Sequence, residues 1–247
     1  PYEPDPEERG GYWGSRATDT KRAFFYAIDD VYRNIDRDRW GRPLTREEIC
    51  DQQKEIEVCP ELNPDKLGNI AGIQCHAWGE TITTPEHLEN MLFPRILAVA
   101  ERAWTTPIWY NETNEETRQE LMNEDWAMFA NALGYRELAK LEEMGIRYHI
   151  RPPSTRQQND TGIMDPLGEF PGTPMLVSSD NGMTWEATYP GMQMPDFGSH
   201  LIARSRDGTR SSRPVMLTYY SSANIPRPSF FSLIIMSAML LMHLSRE

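Results

Sequence analysis

The stretch Asn69-Ile70-Ala71-Gly72-Ile73-Gln74-Cys75-His76-Ala77-Trp78-Gly79-Glu80 decides the reading of the fold. A short apolar run passes into polar and aromatic residues, the pattern of a buried parallel strand whose C-terminal end opens into a site. Thr84-Pro85 follows as an N-cap and first helical residue. Leu88, Met91, Leu92, Ile96, Val99, Ala100 and Ala103 then recur at helical spacing. Pro94 is expected to kink this helix. Strand, polar loop and long amphipathic helix together form the repeating unit of an α/β barrel.

Downstream, a second helical pattern starts near Asn114, with Met122, Trp126, Phe129, Ala130 and Leu133 on one face. Gly134 is the expected stop. Arg136 to Leu141 predicts a shorter helix ending at Gly145, and Arg151-Pro152-Pro153-Ser154 breaks the chain. The period then changes to two. Met175 and Val177, then Trp185, Ala187 and Tyr189, flank the turn Asp180-Asn181-Gly182, a hairpin signal. His200 to Arg204 and Val215 to Tyr219 are two further strand-like runs, and short strands at this density suggest a small β-sandwich. Ser178-x-Asp180-x-Gly182-x-Thr184-Trp185 matches the Asp-box hairpin, but a single copy builds no propeller.

Upstream, residues 1–35 hold Gly10-Gly11-Tyr12-Trp13-Gly14 and Asp19-Thr20-Lys21-Arg22-Ala23-Phe24, and residues 36–68 read as a long polar surface loop. At the other end, residues 230–242 are apolar but short of the roughly 20 residues of a membrane span. Ser221-Ser222-Ala223 before them leaves two alternatives open, a glycolipid-anchor signal or an atypical terminus.

The chain has 247 residues, 39% of them hydrophobic, and a net charge of -12, which disfavours nucleic acid as a partner. Cys50 and Cys59 are spaced to close a small loop disulfide, which leaves Cys75 over. Asn111-Glu-Thr and Asn159-Asp-Thr are glycosylation sequons in turn-like stretches. With the cysteines they point to an oxidising secretory compartment, extracellular or lysosomal. No initiator Met precedes Pro1, so an upstream portion is expected.

Gly72-Ile73-Gln74 leading to Trp78-x-Glu80, then Met91-Leu92-Phe93-Pro94-Arg95 and Ala100-Glu101-Arg102-Ala103-Trp104, resembles the last βα unit of the family 20 glycoside hydrolases. Pro6 to Gly14 with Asp19-Thr20 is similar to the segment after the preceding strand. Phe129 to Gly134 and Arg136 to Leu141 resemble the exit helices of the bacterial chitobiase branch, and residues 150–220 its immunoglobulin-like C-terminal domain. The resemblance therefore implies an α/β fold, the C-terminal part of a (β/α)8 barrel followed by a small immunoglobulin-like β-sandwich. Residues 1–150 would be barrel and exit helices, 151–222 the sandwich and 223–247 an apolar tail.

The function it implies is removal of terminal N-acetylglucosamine or N-acetylgalactosamine from oligosaccharides by substrate-assisted, retaining catalysis. In that chemistry a Glu protonates the leaving oxygen, and an adjacent Asp orients the substrate's own acetamido group. Nothing here matches the pair. Asp29-Asp30 and Glu124-Asp125 stand in other contexts, so the pair is expected upstream and this chain alone is expected to be inactive.

The resemblance carries three positions over. Trp13 and Trp78 would lie against the sugar, and Glu80 would accept its outer hydroxyls. An indole beside a carboxylate suits a ring with one apolar face and a hydroxyl rim. In an extended segment residues 78 and 80 point the same way. His76, Trp104 and Trp126 are expected to be structural, as is an internal ion pair at Glu101-Arg102. Cys75 and Ala77 depart from the usual pattern. No metal or cofactor is implied. A non-catalytic carbohydrate-binding protein on the same scaffold is the alternative.

Overall fold

A computed structural model describes residues 18–28, 34, 42–45, 48, 63–77, 79, 81–158, 163–193 and 198–217. The chain folds as two units of mixed α and β structure. One gathers the residues up to Pro152 with Gly168–Pro174 and Ala203–Arg213, and the other Pro153–Leu167, Met175–Ile202 and the residues from Pro214 on.

The first unit is helical. Helix α1, Thr20–Phe24, starts at Asp19, whose Oδ1 accepts the Arg22 amide at 2.7 Å. Helix α2, Pro85–Leu92, starts at Thr84, whose hydroxyl caps the His87 amide, with Pro85 at its first position. The sequence predicts one helix kinked at Pro94, but the structure has two. Proline lacks an amide and forces its predecessor extended, so Phe93 (φ -95°, ψ 140°) leaves the helix, and α3 restarts as Arg95–Trp104. Ala23, Phe24 and Ala98 form the core between α1 and α3, joined by Phe25, Val99, Trp126 and Phe129. Phe24 is fully buried, stacks on Phe129 at 4.6 Å and meets Trp126 edge-on at 5.6 Å.

Helix α4, Glu115–Ala132, is capped by Asn114 and carries Glu115 and Glu116 against its positive end. Gly134 does not stop it. The path continues through a π-helical turn, Leu133–Glu137, into α5, Leu138–Glu143. A Cβ on Gly134 would lie 2.0 Å from the Pro171 carbonyl oxygen, so this glycine permits a close backbone approach and is not a cap. The true stop is Gly145, at φ 75°. Its amide bonds to Glu142 O, and the Ile146 amide reaches back to Leu141 O, closing the helix by the paired 5→2 and 6→1 bonds of a Schellman motif.

The second unit consists of antiparallel strands. β1 (Ser154–Gln158), β2 (Ile163–Leu167) and β5 (Met192–Gln193) form one sheet in the order β1-β2-β5. β3 (Met175–Ser178), β4 (Glu186–Ala187), β6 (His200–Ala203) and β7 (Val215–Met216) form the other, in the order β4-β3-β6-β7. Val177, Leu201 and Leu217 are its buried core, with Met192 packed against them. The β3–β4 turn follows its sequence signal. Asn181 and Gly182 take positive φ (59° and 87°), and the Asp180 carboxylate accepts both the amide and the hydroxyl of Thr184, at 2.8 and 2.6 Å. These bonds hold the exposed Asp180 carboxyl down at about 2.

Among the described residues no helix is long and apolar enough to cross a membrane. The tail, residues 223–247, lies outside them.

Candidate functional site

The segment that leads into the predicted site is not a strand. After a 3-10 helix, Pro64–Asn69, residues 70–77 form no regular structure, and apart from half-buried Ile70 and Ile73 they are exposed. A parallel strand exists only through its ladder, and among the described residues no strand pairs with this run. Trp78, Glu80 and Trp13, the three residues expected to hold sugar, lie outside the described residues. Just beyond, the Ile82 amide turns back to Gly79 O at 3.1 Å. The Thr83 hydroxyl lies 3.2 Å from His87 Nδ1, and Thr84 caps α2. Thr83 and Thr84 thus tie the chain to the N-terminus of α2.

The next helix carries a buried cation. Arg102 on α3 is 5% exposed, its guanidinium 4.4 Å above the Phe24 ring and 5.9 Å from Trp109. The acid beside it is Asp125, at 3.9 Å, which also accepts Trp109 Nε1 at 2.9 Å. The internal pair is therefore Arg102–Asp125, where the sequence suggests Glu101–Arg102. Asp125 is thus occupied by Arg102 and Trp109. Burial pulls the Arg102 pKa down, and Asp125 and then Glu101 push it back. Arg95, one turn into the Phe-Pro-Arg motif, bonds Met91 O at 2.9 Å and Thr18 O at 2.7 Å. It ties α1's entry to the α2–α3 junction.

Two aromatic expectations divide. Trp126 packs in the core, as expected. Trp104 does not: as the last residue of α3 it is 90% exposed, past the stretch that Phe24 and Ala98 cover. His76 is exposed. Cys75 is exposed with a free thiol, while Cys50 and Cys59 lie outside the described residues. Asn111 is exposed in a turn; Asn159 is outside the described residues. Among the described residues no cluster of His, Cys, Asp or Glu could hold a metal.

Several polar contacts carry no local sequence signature. Glu142 accepts the amides of Arg206 and Asp207 at 3.0 and 3.2 Å, and the Tyr148 hydroxyl at 2.5 Å. Burial, then that bond, raises the Tyr148 pKa. A second group joins Asp19, Thr20, His149, Arg151 and Glu169. Their partners are distant in sequence, so only coordinates reveal them.

Comparison with known proteins supplies the context of the site. Residues 14–107 match the glycosyl hydrolase family 20 catalytic domain, and residues 137–214 the chitobiase/beta-hexosaminidase C-terminal domain. The chain is 34% identical over 220 residues to N,N'-diacetylchitobiase of Vibrio harveyi, a match covering 85% of this chain and 23% of that protein. It is 33% identical over 224 residues to a beta-hexosaminidase of Vibrio vulnificus, covering 83% of this chain and 24% of the relative. A beta-hexosaminidase B of Pseudoalteromonas piscicida is 30% identical over 146 residues, covering 54% of this chain and 18% of that protein. The chain spans about a quarter of the length of the first two relatives.

Proposed function

We propose that this chain, which belongs by its two matched segments to the family 20 glycosyl hydrolases and their chitobiase-type C-terminal domain, forms part of the pocket of an exo-β-N-acetylhexosaminidase. Residues 1–150 then complete a (β/α)8 barrel together with sequence outside these 247 residues. Residues 151–222 are the immunoglobulin-like sandwich that follows it in the chain. The observation that carries this reading is 34% identity over 220 residues, 85% of this chain, to a chitobiase.

In the pocket, Trp78 and Trp13 present indole faces to the apolar side of the terminal N-acetylhexosamine, and Glu80 accepts hydrogen bonds from its outer hydroxyls. Such contacts matter for catalysis to the extent that they tighten as the ring flattens towards the transition state. The acid and the acetamido-orienting carboxylate come from outside this chain, in which no Asp is followed directly by Glu. The substrate's own amide is the nucleophile, so the reaction calls for no metal or cofactor. The two sequons, a Cys50–Cys59 disulfide and an extracellular or lysosomal location form one consistent setting.

Turnover of a chromogenic N-acetylglucosaminide by the full-length protein tests the proposal. Glu80→Gln should lower kcat/KM by about tenfold to a hundredfold, the worth of one or two hydrogen bonds to a charged acceptor. Unchanged turnover would remove Glu80 from the pocket. The lack of an Asp-Glu pair in this chain favours a second reading, a carbohydrate-binding protein on the same scaffold. Retained sugar binding without turnover in the full-length protein would select it.

A further inference from the structure

Five residues from three separate stretches form one cluster around Glu169. Asp19 and Thr20 open α1, His149 and Arg151 follow α5, and Glu169 lies on the loop Gly168–Pro174. Arg151 Nη1 stands 3.3 Å from Asp19 Oδ2 and 3.9 Å from Glu169 Oε1. The Thr20 hydroxyl bonds to Glu169. Thr20 is 1% exposed, His149 8%, and the Glu169 side chain 8%. Two carboxylates thus share one permanent cation, and of the two acids Glu169 is the more deeply buried. Arg151 sits closer to Asp19, which also caps α1 through the Arg22 amide. Glu169 is left with the weaker share of its charge.

We propose that this cluster is a pH-sensitive latch: with a proton on Glu169 it holds α1 docked, and loss of that proton as pH rises loosens α1. A neutral Glu169 can keep its bond to Thr20 without the cost of burying a charge. An ionised one adds a buried negative charge near Asp19. Burial is the largest influence on Glu169 and raises its pKa, with Asp19 acting the same way. Arg151, His149 and Thr20 oppose them. Because the folded value lies above the unfolded one, the stabilisation is complete below the unfolded pKa and disappears as pH climbs through the folded one.

The latch has a mechanical consequence. Phe24, near the end of α1, is packed between Trp126 and Phe129, so loosening α1 opens that core. The helix begins seven residues after Trp13 in the sequence. A link from the latch to sugar binding rests on the pocket reading above; the latch itself does not.

Hydrogen exchange of the whole chain, followed by mass spectrometry from about pH 5 to about pH 8 and corrected for intrinsic rates, is the test. Protection of the α1 amides should fall several-fold as pH rises, while the amides of α5 hold theirs. Glu169→Gln should flatten that dependence. Arg151→Met removes the fixed cation, so the loss of protection should move to higher pH; this variant decides the matter where Glu169→Gln folds poorly. The latch is overturned if α1 protection in the unaltered chain does not change with pH. Glu169→Gln keeping the original dependence, or Arg151→Met moving it to lower pH, would overturn it too. All these readings are independent of turnover, so they stand apart from any failure of the sugar proposal.

Discussion

Residues 133–143 and residues 70–77 each contain a glycine in a stretch that resembles part of a family 20 protein, yet their surroundings are opposite. A Cβ on Gly134 would meet the Pro171 carbonyl oxygen at 2.0 Å and Phe170 Cβ at 3.2 Å; one on Gly72 would meet nothing within 4 Å. Around Gly134 the helices and the loops 168–174 and 203–213 interlock through Phe170, Glu142, Tyr148 and Arg210. Around Gly72 the chain is largely exposed and has no ladder among the described residues. A helix brings its hydrogen bonds with it, whereas a strand borrows them from neighbours. Similar family resemblance therefore gives a dense local structure in one stretch and an open one in the other.

Substitutions can sharpen that contrast, with urea unfolding as the measurement. The greatest loss is expected at Phe24→Ala, about 3–5 kcal/mol, because a fully buried ring packed on three aromatic neighbours is removed. Gly134→Ala should cost about 1–3 kcal/mol, since backbone atoms have to move. Glu142→Ala should cost about 1–2 kcal/mol by leaving two loop amides and a phenol without their acceptor. Gly72→Ala should stay within about 0.5 kcal/mol. Equal effects at the two glycines would erase the contrast.

A smaller effect concerns acid. The carboxyl of Asp180, held at about 2, lies below its ordinary value of 3.8. The turn's stabilisation is therefore present above 3.8 and should fade as pH drops towards 2. A carboxyl carbon titration by NMR with a midpoint near 3.8 would contradict the bonding seen at Thr184.

Much of this was legible in the residues. Thr84-Pro85 announced its cap and Asn181-Gly182 its turn because the interaction spans only a few positions. The face of α4 emerged from periodicity. Gly134 misled because a glycine after an apolar run signals a stop as readily as a close approach, and only Pro171 decides between them. Trp104 misled because helical spacing marks an apolar face without saying that anything covers it. The hairpin β1–β2 went unread: Thr155-Arg156-Gln157-Gln158 is polar, and Pro166 sits inside β2. For the site, the motif order pointed to Trp13, Trp78 and Glu80, whereas the Asp19–Arg151–Glu169 cluster joins residues that no window of sequence holds together.

The most direct test is affinity. N-acetylglucosamine should bind the full-length protein at least about tenfold more weakly after Trp78→Ala, a difference of 1.4 kcal/mol. An unaltered dissociation constant in that variant would mean the indole stands apart from the sugar, and the pocket would have to be sought elsewhere.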